Sequence, residues 1–230
     1  MYKKKRILAV VLARSGSKGI KNKNLRKINR ISLVGHTGSL INKIKVIDKK
    51  IISTDSKKIG KEGIKYNLEH IFERPKYLSG PKISDEEVLN HALVITEKIT
   101  QKKFDVVISL PPTSPLRKKN DIILSIKKLI DNKYDSVWTV SEVDSKFHPY
   151  KSLKIKNNKL MFFSKMGKKI KYRQQLNKTY FRNGCCYVFS RKTIIQKKIL
   201  TKNTGFVISK SNQVSIDNMN DLKLVREIIK

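Results

Sequence analysis

The 230-residue sequence predicts an α/β fold in which a parallel sheet carries helices on both sides, and three observations lead there. Short apolar runs alternate with longer amphipathic stretches through the first 140 residues, which is the rhythm of βαβ units. The first run, Ile7–Ala13, is seven consecutive apolar residues, as in a strand covered on both faces. The length suits one domain with a substantial core and is too short for two ordinary catalytic domains.

The elements follow in order. Strand-like runs occupy Ile7–Ala13, Ile51–Ser53, His70–Phe72, Phe104–Leu110 and Ser136–Val140. Between them, His36–Val46, Ser56–Tyr66, Ser84–Lys98 and Asn120–Asn132 repeat apolar residues at three- and four-residue spacing and are expected to be helices. Ser84 before Asp85 and Glu87, and Asn120 before Asp121, each set a capping side chain and an early acid at a helix start. From Glu142 to Lys178 the rhythm fails. There KSLKIKNNKLMFF predicts a short hairpin turning at Asn157 and Asn158, followed by a polar segment, and Cys185–Phe189 resumes the core. The cluster Leu160, Met161, Phe162 and Phe163 is either an exposed patch on a projecting arm or a local satellite core. Asp221 is read as the start of a last helix, LKLVREII.

Fifty-two Lys and Arg against 18 Asp and Glu give a net charge of +34 and a pI near 10.2. Such a balance brings nucleic acid to mind first. Yet the excess is mostly Lys, spread from end to end, and aromatics are only 7%. A nucleic-acid footprint clusters on one face with interleaved aromatics, so no specific nucleic-acid partner is expected. Adjacent Cys185 and Cys186 should point to opposite faces of their strand, which argues for small core fillers in a reducing cytoplasm rather than a disulfide or metal pair. The basic, apolar start imitates a signal peptide but lacks a small-residue cleavage site. No run approaches the ~20 apolar residues of a membrane span. A soluble cytoplasmic protein with no membrane partner is expected.

The chemistry concentrates after the first run, in LARSGSKGIKNKN. Gly16 and Gly19 let backbone approach a ligand, Ser15 and Ser17 offer hydroxyls, and Arg14, Lys18, Lys21 and Lys23 supply cations suited to polyphosphate. Neither GxxxxGK[ST] nor GxGxxG is present, so the residues alone license only anion binding. Open α/β sheets bind ligands at the carboxyl ends of their strands, where this loop should lie. Thr113 and Ser114, in PPTSPLR after Phe104–Leu110, should present hydroxyls at the same edge. His36, His70, His91 and His148 show no metal spacing; His91 is expected in the core and His148 to shape the insertion.

Six segments together resemble the acylneuraminate cytidylyltransferases, which activate sialic-acid-type sugars with CTP. They are LARSGSKGIKNKN, ISTDS from Ile52, ERP from Glu73, PPTSPLR from Pro111, RQQL with YFRNG between Arg173 and Gly184, and SIDNMNDL from Ser215. The resemblance covers nearly the whole chain. It implies a three-layer nucleotide-diphosphosugar-transferase-like (Rossmann-like) sheet spanning residues 1–230, with 142–180 a small insertion that reaches a second subunit of a homodimer and the sugar site. It implies that Arg14 and Lys18 hold the triphosphate and act in catalysis, with Ala13, Gly16, Ser17 and Ser84 also at the nucleotide. Lys23 and Asn24 match a pair touching phosphates and cytidine. Arg74 matches a base-recognising arginine, against a surface ion pair with Glu73.

On the sugar side, the resemblance places Thr113, Ser114, Lys151, Arg173, Gln174, Tyr180, Arg182 and Asn183. Arg173 with Gln174 would clamp a carboxylate, and Tyr180 would line an acyl pocket. Pro111 stands where some members carry a glutamine that contacts the sugar. The implied cofactor is Mg²⁺ on Asp217, but Ser215 replaces the first of two aspartates usual in the closing motif. Asp55 is either a further carboxylate or a cap of the next helix. The expected reaction is transfer of CMP from CTP to the anomeric hydroxyl of a nonulosonic acid. The alternative is a catalytically decayed scaffold binding nucleotides or polyanions.

Overall fold

The computed structural model describes residues 1–17, 19–209 and 214–229. Its centre is a six-stranded sheet. The strands are β1 (Ile7–Leu12), β4 (Lys49–Ser53), β5 (Val106–Leu110), β6 (Ser136–Glu142), β9 (Tyr180–Ser190) and β10 (Thr204–Ile208), in spatial order β10-β6-β9-β5-β1-β4. Two-residue strands β2 (Lys27–Ile28) and β3 (Ile31–Ser32) pair beside it, and β7 (Leu153–Lys156) with β8 (Lys159–Phe162) forms a separate hairpin. The sheet is parallel except for β9, which runs antiparallel to both β5 and β6.

Alternation along β1 builds the layers. Ile7, Ala9 and Val11 meet helices α1 (Leu33–Asn42), α2 (Lys57–Ile64) and α4 (Lys119–Asp131) on one face. Leu8 and Val10 meet α3 (Asp85–Thr100) and α5 (Arg191–Ile195) on the other. A third apolar cluster holds α6 (Met219–Ile228) through Leu222 and Val225 against Ile20, Ile28 and Ile216. Among the described residues, no helix is long and apolar enough to cross a membrane.

Most local expectations hold. Ser84 and Glu87 form a reciprocal capping box at α3, and Ser56 caps α2. Asn157 and Asn158 take φ of 50° and 56°, the twisted two-residue turn that the hairpin demands. Asp221 closes a capping box with Asn218 at the start of α6.

Three expectations fail, and one strand was not expected. His70–Phe72 is not a strand: only Glu69 bridges β4, and the Arg74 amide is diverted to the Thr54 carbonyl. Asn120 lies inside α4, which begins after Lys118 without a side-chain cap. Strand β10, beside β6, had no counterpart in the sequence reading. The two thiols do not part to opposite faces, because the β6–β9 register slips between Trp138 and Val140 and the extra residues 183–186 bulge from β9. Both sulfurs reach α4, Cys185 toward Asp121 and Cys186 toward Ser125, and both remain free, buried thiols as expected.

One polar fastener ties the helical layer to the sheet. Glu97 of α3 accepts two bonds from Arg191, both 2.9 Å, and one from the Phe104 amide, 2.9 Å. Burial pushes this carboxyl up, but the Arg191 hydrogen bond and charge together with the Phe104 amide outweigh it, and the net direction is below the ordinary value of 4.5. A depressed folded-state pKa adds stability above 4.5 that is lost as pH falls through the folded value. Glu97→Gln should therefore cost about 1–3 kcal/mol at neutral pH, with the deficit fading as pH falls below the ordinary carboxylate value of 4.5. Paired urea melts check this, and equal midpoints at neutral pH would refute it.

Candidate active site

Three parallel strand ends converge at one edge. The chain passes from β1 to β4 on one side and then returns to β5 on the other, so β1 is the point where strand order reverses, the place where open α/β sheets bind ligands. A cavity of about 480 Å³ opens there. Its walls include Arg14, Ser17, Gly19, Lys23, Asn24 and Asp217, with Pro81 and the 111–113 turn opposite.

The loop after β1 is pinned from below. Ala13 is buried and gives its N–H to the Ser53 carbonyl, so its side chain is core rather than ligand wall. Asp55 accepts the Ser15 amide at 2.8 Å and the Ser15 hydroxyl at 2.7 Å. It is thus a loop clamp, not the cap of α2, a role that Ser56 fills. Asn24 is buried and donates to the Arg14 carbonyl at 2.9 Å, bracing the loop across its base. Arg14 and Ser17 face the cavity. Lys18 lies outside the described residues. Gly16 has open space where a Cβ would stand, so crowding does not explain it; Gly19 is the crowded one, its Cβ position lying 2.1 Å from the Asp217 carbonyl oxygen.

The closing segment comes to this loop through Ile216. Its side chain is fully buried, its amide donates to the Thr113 carbonyl at 2.9 Å, and its carbonyl accepts Lys23 Nζ at 2.9 Å. Burying Ile216 leaves Ser215 and Asp217 outward on either side of it. Lys23 also reaches Asp217 Oδ1 at 3.0 Å, while Asp221 accepts the Asp217 amide and so fixes the turn. Ser215 sits 3.5 Å from the Thr113 hydroxyl. Among the described residues, no group of three or more His, Cys, Asp or Glu is placed to hold a metal ion. One exposed carboxylate suits a hard cation that takes its remaining ligands from substrate phosphates and water, so Asp217 is compatible with Mg²⁺.

The 111–117 turn is held from inside by Arg117, whose importance the sequence reading missed. It is 4% exposed, its Nε donates to the Ser114 carbonyl at 2.8 Å, and its Nη2 donates to the Pro111 carbonyl. Thr113 faces the cavity, but Ser114 is buried beneath it against Gly184, whose φ of +69° and close approach leave no room for a side chain. Arg74 is buried too and donates to the Ser53 hydroxyl at 3.0 Å and to the Ser53 carbonyl, so the surface ion pair with Glu73 is excluded. Burial lowers its pKa to about 10, opposed by Asp55 and Asp85, and it stays charged under β4. The Ser84 hydroxyl is occupied by Glu87, at 3.0 Å.

The remaining sugar-side candidates are not brought to this cavity within one chain. Lys151 and Gln174 are exposed on 3₁₀ turns of the insertion, and Arg173 lines a separate cavity of about 440 Å³ with Glu142, His148 and Lys178. Tyr180 is exposed at the start of β9. Arg182 covers the Trp138 ring, 5.2 Å from its centroid. Asn183 is a bulge fastener: its Nδ2 donates to the Ser141 hydroxyl and its Oδ1 accepts the Cys185 amide, both at 3.0 Å. His148 is buried between the Asn177 carbonyl and the Tyr150 amide and does shape the insertion. His91 is only half-buried in α3, its ring against Phe72.

This geometry sets a cation-bearing loop at a strand-order switch, and comparison with known proteins gives the family. The chain belongs to the cytidylyltransferase family, whose model matches residues 8–227, and it is a nucleotidyltransferase. It is 34% identical over 227 residues to post-translational flagellin modification protein B of Campylobacter coli, covering 97% of this chain and 95% of that one. CMP-N,N'-diacetyllegionaminic acid synthase of Campylobacter jejuni is 33% identical, with 97% and 94% covered. The solved structure of CMP:2-keto-3-deoxy-manno-octonic acid synthetase complexed with CTP shares the fold at a TM-score of 0.72 and 14% identity, covering 97% of this chain and 98% of that one.

Gly19 gives the sharpest local test. A methyl there must push the closing segment away, so Gly19→Ala should weaken CTP binding at least about tenfold, a loss of ~1.4 kcal/mol, and lower the melting temperature as the Ile216 anchor is strained. Calorimetric titration with CTP measures it. Unchanged affinity would show that the loop and the closing segment need not meet.

Proposed function

We propose that the chain transfers CMP from CTP to the anomeric hydroxyl of a sialic-acid-like nonulosonic acid, releasing pyrophosphate. One observation carries the reading: Arg14, Lys23 and Asn24 meet Asp217 around one cavity at the β1 switch point. The sugar oxygen forms a bond to the α-phosphorus as the bond to the pyrophosphate oxygen breaks. Positioning and cations dominate such a transfer. Arg14 faces the phosphates and offsets charge that develops on them, with Lys18 assigned the same task. Lys23 and Asn24 orient the nucleotide and hold the loop. Asp217 would hold Mg²⁺, which when bound supplies charge neutralisation at the phosphates.

The acceptor's carboxylate calls for a fixed cation, and Arg173 is our candidate, with Gln174, Lys151 and Tyr180 beside it. We assign these to the site of a second copy. In support, the insertion exposes Ile155, Leu160 and Phe163 at 74%, 70% and 67%, which excludes a satellite core and suits burial against a partner. A homodimer in the cytosol, where CTP is made, completes the reading.

Two measurements test it. Purified protein with CTP, Mg²⁺ and a panel of nonulosonic acids, a diacetyllegionaminic-type acid first, should release pyrophosphate; silence from folded protein across the panel would sink the proposal. Arg14→Ala should lower kcat/KM for CTP by on the order of 10²–10³ with little change in melting temperature. If the native chain is inactive and Ser215→Asp restores turnover, the decayed-scaffold alternative holds instead.

A further inference from the structure

A second cavity, of about 730 Å³, opens on the other side of the turn that carries Lys23 and Asn24. Lys21, Arg26 and Lys27 form one wall. Lys57, Lys58, Lys61 and Lys65, from α2 and its C-terminal end, form the other. Glu62 is the single carboxylate there, and Lys65 already holds it at 3.1 Å. The other six cations have no carboxylate within ion-pair distance among the described residues. Evenly scattered charge does not produce this. The cavity beside the insertion mixes Arg173 and Lys178 with Glu142 and Asp144, and the one along α3 sets Lys197 against Glu87.

The two neighbouring cavities share a wall. Lys21 and Asn22 face the basic cavity, Lys23 and Asn24 face the candidate active site, and Leu25 and Arg26 face the basic cavity again. Arg26 Nε donates to the Lys21 carbonyl at 3.1 Å and braces the rim. Like charges crowded at a concave surface concentrate counter-ions there. The volume lies in the range of small-ligand sites, about 300–1,000 Å³. No aromatic side chain lines it on which a base would stack, which disfavours single-stranded nucleic acid.

We propose that this cavity is a second anion site, distinct from the substrate site, that binds a polyphosphate group. The group belongs to a small ion of the pyrophosphate class or to the phosphate tail of a nucleotide. Isothermal titration of the full chain with inorganic pyrophosphate should show two binding events. Lys57→Ala/Lys61→Ala removes two exposed cations and should weaken one event by on the order of 10–100-fold, about tenfold per charge-assisted contact. The matched control Lys192→Ala/Lys198→Ala, on the opposite face of the sheet, should leave both events within about twofold of wild type, whereas a diffuse charge effect would lower them alike. Arg14→Ala should spare the event that Lys57→Ala/Lys61→Ala weakens, so the outcome is readable even if no turnover is found.

The same titration with CTP separates the sources: a second event sensitive to Lys57 and Lys61 marks a nucleotide tail, and its absence with CTP marks the free ion. Circular dichroism verifies that each variant is folded. The absence of any event that Lys57→Ala/Lys61→Ala weakens, equal losses in the control pair, or displacement of pyrophosphate from the Lys57-dependent event by a duplex DNA 20-mer would each overturn the proposal, whereas a single event that depends on Lys57 and Lys61 would count against the active-site reading alone.

Discussion

Double-sided burial of β1 is the constraint on which the rest depends. Ile7 to Val11 are fully buried, and their alternation feeds two separate helical layers. A strand so placed has no face on which to carry a polar side chain, because an unpaired polar group there would cost a few kcal/mol. All of its chemistry is therefore displaced to the loop at its end. Strand order reverses at β1, so the loops after β4 and β5 leave the same edge on either side and a crevice must open between them. The fold thus determines where a ligand can sit before any site residue is considered.

The scarce acids act as fasteners, in that crevice and away from it. Asp55 clamps Ser15, Asp217 meets Lys23, and Glu97 meets Arg191, while Asp221 holds the turn before α6. Arg14 is a different case: its carbonyl braces Asn24, but its guanidinium faces the cavity with no carboxylate at ion-pair distance among the described residues. Repulsion in a chain of net charge +34 makes such a residue a good receiver for a polyanion, since the ligand supplies the missing counter-charge. Arg74 and Arg117 show the opposite use. Both are buried: Arg74 donates to the hydroxyl and carbonyl of Ser53, and Arg117 to the carbonyls of Pro111 and Ser114, so they shape loops from beneath.

Which of this the sequence could disclose follows from how local each signal is. The continuous run of β1, the capping box of Ser84 and Glu87 and the Asn157–Asn158 turn are written within a few residues, and each was legible. Strand β10 was not, because its apolar run, Phe206–Ile208, is only three residues long and follows a glycine. The fate of Asn183 was hidden for a different reason. Its capping of a bulge depends on a register slip between strands more than 40 positions apart, and no spacing within one strand encodes that. Asp55 read as either a further carboxylate or a cap, yet its neighbour Ser56 caps α2 and Asp55 holds Ser15. Arg117 stood in a quoted motif but carried no mark of burial. A charged residue two positions after Pro115 reads as surface until the turn around it is known.

The insertion illustrates what a single chain does and does not hold in place. The loop after β1, the closing segment and the 111–113 turn are all fastened to the sheet by buried anchors, Asn24, Ile216 and Arg117. The insertion has few comparable anchors. Its hairpin strands are exposed at every residue on both faces, and the turn after them is held chiefly by Gly167 and His148. A two-stranded ribbon is at best marginal alone in water, and one displaying Leu153, Ile155, Leu160 and Phe162 is a liability unless something covers it. The same ribbon leads into the 3₁₀ turn that carries Arg173 and Gln174. On the dimer reading, the burial that stabilises this arm is also what carries its cations to an acceptor beside the neighbouring copy's nucleotide cavity. Folding of the arm and completion of the sugar site then become one event rather than two.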